Sequence, residues 1–343
     1  MKSKKSLVIS ALPLTPVLSG MQNTVYLLYK FLKKENQKVI FLEVKTYNKI
    51  DPIINLKHSY LFAKKLDNKI KNCKPDFIFV NTSKLLKTYK EIFLDKNRFF
   101  KTILVNHDLY NFRKKYFDKI EVKDTTYLKR SQEIEILKKT NYIIDYSNQE
   151  HRYLLNSGIK KKQLIDTKTP TSQFKNSYRT NAKYDILYIS SDWLQNIINI
   201  NWIKKKLKIN KSKLKFLVLG NKKKLKKKIE EKNLIIKEYS KKSFNLAKLG
   251  LAIFNSGTGR KTKIFEMLSA GLPVVSNLDL SEFGLKNNQH YLRIYKKHNI
   301  HKTILKNLND FKLRKKLSKN AFTWSKKNTF YHQAFKNLKV ILK

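Results

Sequence analysis

The sequence predicts an α/β protein of two doubly wound parallel domains followed by C-terminal helices. Three observations predict it. Short apolar runs rich in Val, Ile and Phe alternate with longer segments of helical period, the pattern of a parallel sheet covered on both faces. That series runs twice along the chain, and a polar stretch without apolar periodicity divides the two. With 343 residues, 41% hydrophobic and 12% aromatic, the chain can bury two cores and is too apolar for intrinsic disorder.

The first series opens with a strand at residues 7–10. Lys2, Lys4 and Lys5 ahead of it imitate a secretory leader, but the apolar run is about half the usual length and Pro13 and Pro16 follow, so a buried strand entering a loop fits better. Further strands are expected at 39–44, 77–80, 102–106 and 142–146, separated by helical stretches such as 21–34, 131–139 and 148–156. The second series places strands at 186–190, 216–219, 234–236, 251–254 and 273–276. The expected domains are therefore 1–168 and 184–325, joined by a polar linker at 169–183 that contains Pro170 and several Thr and Ser. Residues 296–343 read as helical throughout, with Ile300, Ile304, Leu308 and Phe311 at spacings of three to four; the last piece, 326–343, is free to cross back to the first domain. No repeat of 20–50 residues and no run of about 18 apolar residues is visible, so a solenoid and a membrane-spanning helix are not expected.

Charge and cysteine content narrow the partners. Lys and Arg number 75 against 25 Asp and Glu, a formal charge of +50. A coding bias explains many lysines but not the scarcity of acids, so part of the imbalance points to phosphates, as nucleotide, nucleic acid or an anionic membrane surface. Thirteen lysines and no acid lie between Lys204 and Lys228, either a solvated face or a surface for anionic lipid or polymer. Cys73 is the single cysteine, which excludes intramolecular disulfides and cysteine zinc sites and suits a reducing, cytoplasmic setting. There is no Asp-x-Asp pair and no HExxH, so a metal site is not expected, and no Gly-x-Ser-x-Gly elbow suggests acyl-enzyme chemistry.

Glycine is scarce, so its placement is informative: five of eight, Gly250, Gly257, Gly259, Gly271 and Gly284, fall within 35 residues. There LAIFNSGTGRKTKIFEMLSAGLPVVSN reads as strand, glycine turn, helix, glycine stop, strand. Backbone amides at Gly257 and Gly259 can approach an anion closely where a strand hands over to a helix. Arg260, Lys261 and Lys263 follow in the first turn, where a helix dipole disfavours cations by about 0.3–1 kcal/mol each, so a bound phosphate would compensate. Glu266 lies one turn beyond Lys263; its carboxylate can accept from a vicinal diol such as ribose, or form an ordinary i, i+3 pair with Lys263, and spacing does not choose. His107 and Asp108 follow the strand at 102–106, at the edge where ligands bind in open parallel sheets. His107 suits hydrogen bonding to a sugar hydroxyl or sharing of developing charge, and Asp108 reads equally as a helix N-cap.

The segment GTGRKTKIFEMLSAGLPVVSN followed by SEFGL resembles the donor-binding segment of the group 1, or family 4, glycosyltransferases, enzymes of two facing Rossmann-like domains in the GT-B architecture. LVISALPLTPVLSGMQNTVYLLYKFL is similar to their first strand, glycine loop and helix, and YIIDYSNQEHRYLLNSGI and DILYISSDWLQNIINI resemble the end of their first domain and the opening of their second. The resemblance implies a retaining transfer from a nucleotide diphosphate sugar, with no other cofactor; the missing metal motifs make it metal-independent, and the basic chain without a spanning helix suits a glycan or lipid-linked hydroxyl acceptor such as a surface polysaccharide precursor. It implies that Glu266 holds the ribose, that Lys263 and Arg260 face the diphosphate, and that amides around Gly257, Thr258 and Gly259 contact the donor. Ser190 and Ser191 would lie beside the phosphates, Gly20 would close on the donor, and His107 would touch the donor sugar. Thr258 stands where the family often carries a first glutamate, which leaves the sugar open. A cytoplasmic enzyme resting on the inner face of a membrane is the expectation; a nucleotide-sugar 2-epimerase-like isomerase and a basic nucleic-acid-binding protein are the rival readings, the latter without a recognition motif.

Overall fold

A computed structural model describes residues 3–15, 19–35, 37–44, 52–107, 109–110, 114, 118, 128–176, 178–191, 194–227, 229, 233–254, 261–295 and 299–342. The first sheet contains β1 (Lys5–Ser10), β2 (Lys38–Glu43), β3 (Phe77–Asn81), β4 (Lys101–Val105), β5 (Tyr142–Asp145) and β6 (Leu164–Asp166). All its strands are parallel, in the order β2-β1-β3-β4-β5-β6. The second sheet contains β7 (Tyr184–Ile189), β8 (Phe216–Gly220), β9 (Leu234–Glu238), β10 (Ala247–Ala252), β11 (Val274–Ser276) and β12 (Leu292–Arg293), again parallel, in the order β12-β11-β10-β7-β8-β9. The doubly wound α/β class expected from the sequence is therefore observed. The short edge strands β6 and β12 were not expected, because two or three residues carry no periodicity.

The strands carry consecutive apolar residues through their middles, with lysine or glutamate mostly at their ends, because helices cover both faces. In the first sheet Leu7 and Ile9 point into one core with Ile78, Val80 and Leu104, while Val8 points into the other with Phe79, Ile103 and Val105. The helices of this half are α1 (Gly20–Lys34), α2 (Pro52–Cys73), α3 (Ser83–Thr88), α4 (Lys90–Phe93), α5 (Arg130–Lys139) and α6 (Asn148–Asn156). Helix α1 starts where Ser19 caps it, its hydroxyl accepting from Gln22 N at 3.2 Å, and it lays Val25, Leu28, Phe31 and Leu32 on the sheet. The second half carries α7 (Leu194–Leu207), α8 (Lys222–Lys226), α9 (Thr262–Ser269), α10 (Ile300–Asn309), α11 (Phe311–Asn328), α12 (Tyr331–Ala334) and α13 (Lys339–Leu342).

Among the described residues the helical C-terminal region is broken at Asp310, at Thr329 and Phe330, and again between Ala334 and Lys339. Asp310 interrupts it by capping α11, its Oδ1 accepting from Leu313 N at 2.9 Å, so Phe311 is restarted onto the surface at 46% exposure instead of continuing the apolar stripe of α10. At Thr329 and Phe330 the chain crosses towards the first sheet. Thr171 N donates to Thr329 O at 2.7 Å and Tyr331 N to Thr171 O at 3.0 Å, so the outgoing and returning segments run side by side. Beyond the crossing, Phe335, Leu338 and Leu342 enter the same core as α1, and the Phe335 ring lies 5.5 Å from that of Phe31.

In each sheet the strand order reverses once, between β1 and β3 and between β7 and β10. Ligands of open parallel sheets bind outside the carboxyl ends at such switch points. The N-terminus of α1 and the tip of β7 therefore mark where a site belongs.

Candidate active site

One cavity lies where those two points meet. Ser19 and Gly20 line it from the first domain, and Ile189, Ser190, Ser191, Gly220, Tyr239, Thr262, Lys263 and Glu266 from the second. Helix α9 supplies the last three. Ile264, Phe265, Met267 and Leu268 bury one side of the helix in the second core, which turns Thr262, Lys263 and Glu266 to the cavity. Gly271, at φ +75°, stops α9 in the left-handed conformation that favours glycine, and lets β11 begin three residues later.

Glu266 is 6% exposed and held from both domains. Tyr239 donates its hydroxyl to Glu266 Oε2 at 3.0 Å, and Asn23 of α1 donates Nδ2 to Glu266 Oε1 at 2.9 Å. Burial, reinforced by the adjacent carboxylate, pushes the Tyr239 phenol far above its ordinary range, so it remains a donor. Lys263 is only partly covered as a residue, yet its ammonium is enclosed. Nζ donates to Asn196 Oδ1 at 2.7 Å and lies 5.9 Å from the centre of the Tyr188 ring. Burial, aided by the charge of Lys261 and opposed by Glu266, lowers its pKa from 10.5 to about 7. Asn196 in turn donates Nδ2 to Ser191 Oγ at 2.6 Å, so one amide fixes both the cation and the loop after β7.

The domains touch at this place. A Cβ added to Gly20 would overlap Thr262 Oγ1, so only glycine allows α1 to approach α9 so closely. A second contact runs from Asn148 Nδ2 to Glu282 O at 3.4 Å. On the first-domain side, His107 is 7% exposed beyond β4, with Nε2 against Asn81 Oδ1. Asn81 Nδ2 donates to Ser10 Oγ at 2.9 Å, and Ser10 Oγ also accepts from Leu12 N at 3.1 Å. An acceptor at Asn81 Oδ1 assigns the proton to His107 Nε2 and fixes the ring at the tips of β1, β3 and β4.

Comparison with solved structures gives the architecture. A sucrose-phosphate synthase from Thermosynechococcus elongatus superposes with a TM-score of 0.78 at 13% identity, covering 98% of each chain. Anabaena HepE in complex with UDP and glucose gives 0.70 at 10% identity over 99% of each chain. A glycosyltransferase from Rickettsia africae ESF-5 gives 0.68 at 13% identity over 100% of this chain and 98% of that one. The fold is GT-B. No protein-family model matches the sequence, and no curated protein does.

In this GT-B chain the cleft brings together five residues singled out from the sequence, Gly20, Ser190, Ser191, Lys263 and Glu266. His107 sits at the carboxyl edge of the first sheet, outside the residues lining that cavity. Asp108, Gly257, Thr258, Gly259 and Arg260 lie outside the described residues. Sequence reasoning missed Asn23 and Asn196, which stand inside resembling segments without being singled out there, Tyr239, which stands in none, and Ser19, whose place before an apolar helix is a legible cap signal. Among the described residues no group of three or more His, Cys, Asp and Glu could hold a metal ion, and no helix is long and apolar enough to cross a membrane. An enclosed ammonium beside a carboxylate that collects hydroxyl and amide donors can receive a phosphate and a hydroxylated ring together.

Proposed function

We propose that this protein is a glycosyltransferase that moves a sugar from a nucleotide diphosphate sugar to a hydroxyl acceptor. The observation that carries the reading is the pairing of Lys263 and Glu266 on one face of α9, turned into the interdomain cavity of a GT-B fold. In this reading Glu266 accepts from the ribose hydroxyls, and Lys263 meets the diphosphate, with Ser190 and Ser191 beside it. Arg260 and the amides around Gly257, Thr258 and Gly259 complete the anion site. His107 touches the donor sugar from the first domain.

The bond between the anomeric carbon and the β-phosphate oxygen breaks, the acceptor oxygen bonds to that carbon, and the acceptor proton leaves with the diphosphate. Negative charge grows on the departing diphosphate, and the Lys263 ammonium with backbone N–H groups stabilises it without a metal. Transfer retains the anomeric configuration. HepE, described in complex with UDP and glucose, supports a uridine or similar nucleotide donor. The acceptor is a surface polysaccharide or lipid-linked glycan precursor, reached by a chain whose +50 charge draws it to an anionic membrane.

A thermal-shift screen against UDP, GDP, ADP, CMP and their sugar conjugates tests the donor site, at a salt concentration that suppresses non-specific anion binding. A shift with one base and not the others is expected; equal small shifts with all, or none, would overturn the reading. Sedimentation with liposomes rich in anionic lipid at low salt tests the membrane step, which falls if the protein stays in solution.

A further inference from the structure

Asn23 belongs to the first domain, 243 residues away from Glu266 in sequence, yet its amide is bonded to that carboxylate. The side chain is 3% exposed. The orientation of the amide is fixed by chemistry, since turning it over would put Oδ1 against a carboxylate oxygen. In that fixed orientation Oδ1 is buried and has no hydrogen-bond partner. Buried acceptors are paired in nearly all folded proteins, so an orphan beside a ligand-binding carboxylate calls for a missing donor. Gly20, one turn earlier on the same helix, packs directly on Thr262, which holds Asn23 at this distance from α9 whenever the cleft is closed.

We infer that Asn23 is a diol-recognising residue: with the donor bound, a ribose hydroxyl donates to Asn23 Oδ1 while its neighbour donates to Glu266. The inference rests on the glycosyltransferase reading and adds to it a nucleoside contact made by the opposite domain. A ligand hydroxyl that reaches Glu266 Oε1 arrives beside the Asn23 amide, because Nδ2 is already bonded to that oxygen. Vicinal hydroxyls are spaced for two adjacent acceptors, one on each domain, and a 2′,3′-dideoxyribose offers neither. In the closed cleft Asn23 adds an acceptor from the first domain beside the Glu266 carboxylate of the second. Recognition of the nucleoside and approach of the two domains become one event.

The test is calorimetric titration of wild type, Asn23→Ala and Asn23→Ser with whichever of UDP, GDP and ADP binds the wild type most tightly, and with its 2′,3′-dideoxy form. Circular dichroism and melting temperature confirm that the variants fold, and Asn23→Ser guards against a local collapse in the alanine variant. The expected result is an affinity about tenfold lower in both variants for the ribonucleotide, equivalent to about 1.4 kcal/mol, and equal affinities of all three proteins for the dideoxy form. Unchanged ribonucleotide affinity in the folded variants would overturn the inference while leaving the donor site standing. Tighter binding by the variants would also overturn it, since Asn23 would then compete with the ribose for Glu266. If the wild type bound none of the nucleotides, the donor reading itself would fail, and the inference with it.

Discussion

Raising the pH from 8 to 9 should weaken nucleoside diphosphate binding by about two- to eightfold, because the Lys263 amine must take up a proton to meet the diphosphate. Burial lowers the pKa of Lys263 to about 7. At pH 8 only about one in eleven of these amines is then charged. A phosphate in contact favours the charged form and restores the pKa by about 1–3 units, so binding at pH 8 takes up on the order of 0.4–0.9 proton per site. The ligand contributes little, since its terminal phosphate ionises near pH 6, about two units lower. Titration calorimetry at pH 8 in two buffers of different ionisation enthalpy reads the uptake directly from the difference in apparent heat. Lys263→Met should abolish both the proton uptake and the pH slope. Full-strength binding without proton uptake at pH 8 would mean that the buried Lys263 ammonium keeps its charge before the ligand arrives, and would rule this linkage out.

Three further outcomes follow from the geometry. Glu266→Ala should weaken nucleotide binding tenfold or more, about 1.4 kcal/mol, with an unchanged circular dichroism spectrum; wild-type affinity would make Glu266 a purely structural group. Gly20→Ala should hold the cleft open, lowering transfer turnover by about tenfold or more, roughly 1.4 kcal/mol of barrier, and Thr262→Ala in the same chain should restore much of it. Failure of the second substitution to rescue would show that the helices do not need to meet. Phe335→Ala should cost about 3–5 kcal/mol in urea unfolding, because a fully buried ring is removed from a packed core; a loss under about 1 kcal/mol would show that the crossing segment packs without contributing.

The fold class was legible because parallel strands are buried on both faces and so stand out as apolar runs between helical periods. β6 and β12 were not legible, since two or three residues at a sheet edge carry no pattern. The break at Asp310 shows how a period can mislead: the spacing of Ile304, Leu308 and Phe311 runs straight through a residue whose side chain prefers to cap a new helix. At the cavity, Gly271, Lys263 and Glu266 could be read together because one short segment contains turn, charge and stop. Asn23 and Tyr239 could not. Their relation to Glu266 exists only once two domains face each other and β9 lies beside β8, and no spacing within a segment encodes a contact over 243 residues.

The paired segments at the crossing also govern how the cleft can move. A single connecting strand would let one domain swivel freely about its bonds. Here two passes of chain meet in a parallel bridge, tied by hydrogen bonds from Thr171 N to Thr329 O and from Tyr331 N to Thr171 O, and Phe335 anchors the returning pass in the first core. Two parallel straps fastened to each other resist torsion and yield to bending. Bending at this paired crossing, rather than torsion, is therefore the motion left to the cleft, and the arrangement it would close to has Gly20 on Thr262 and Asn23 on Glu266.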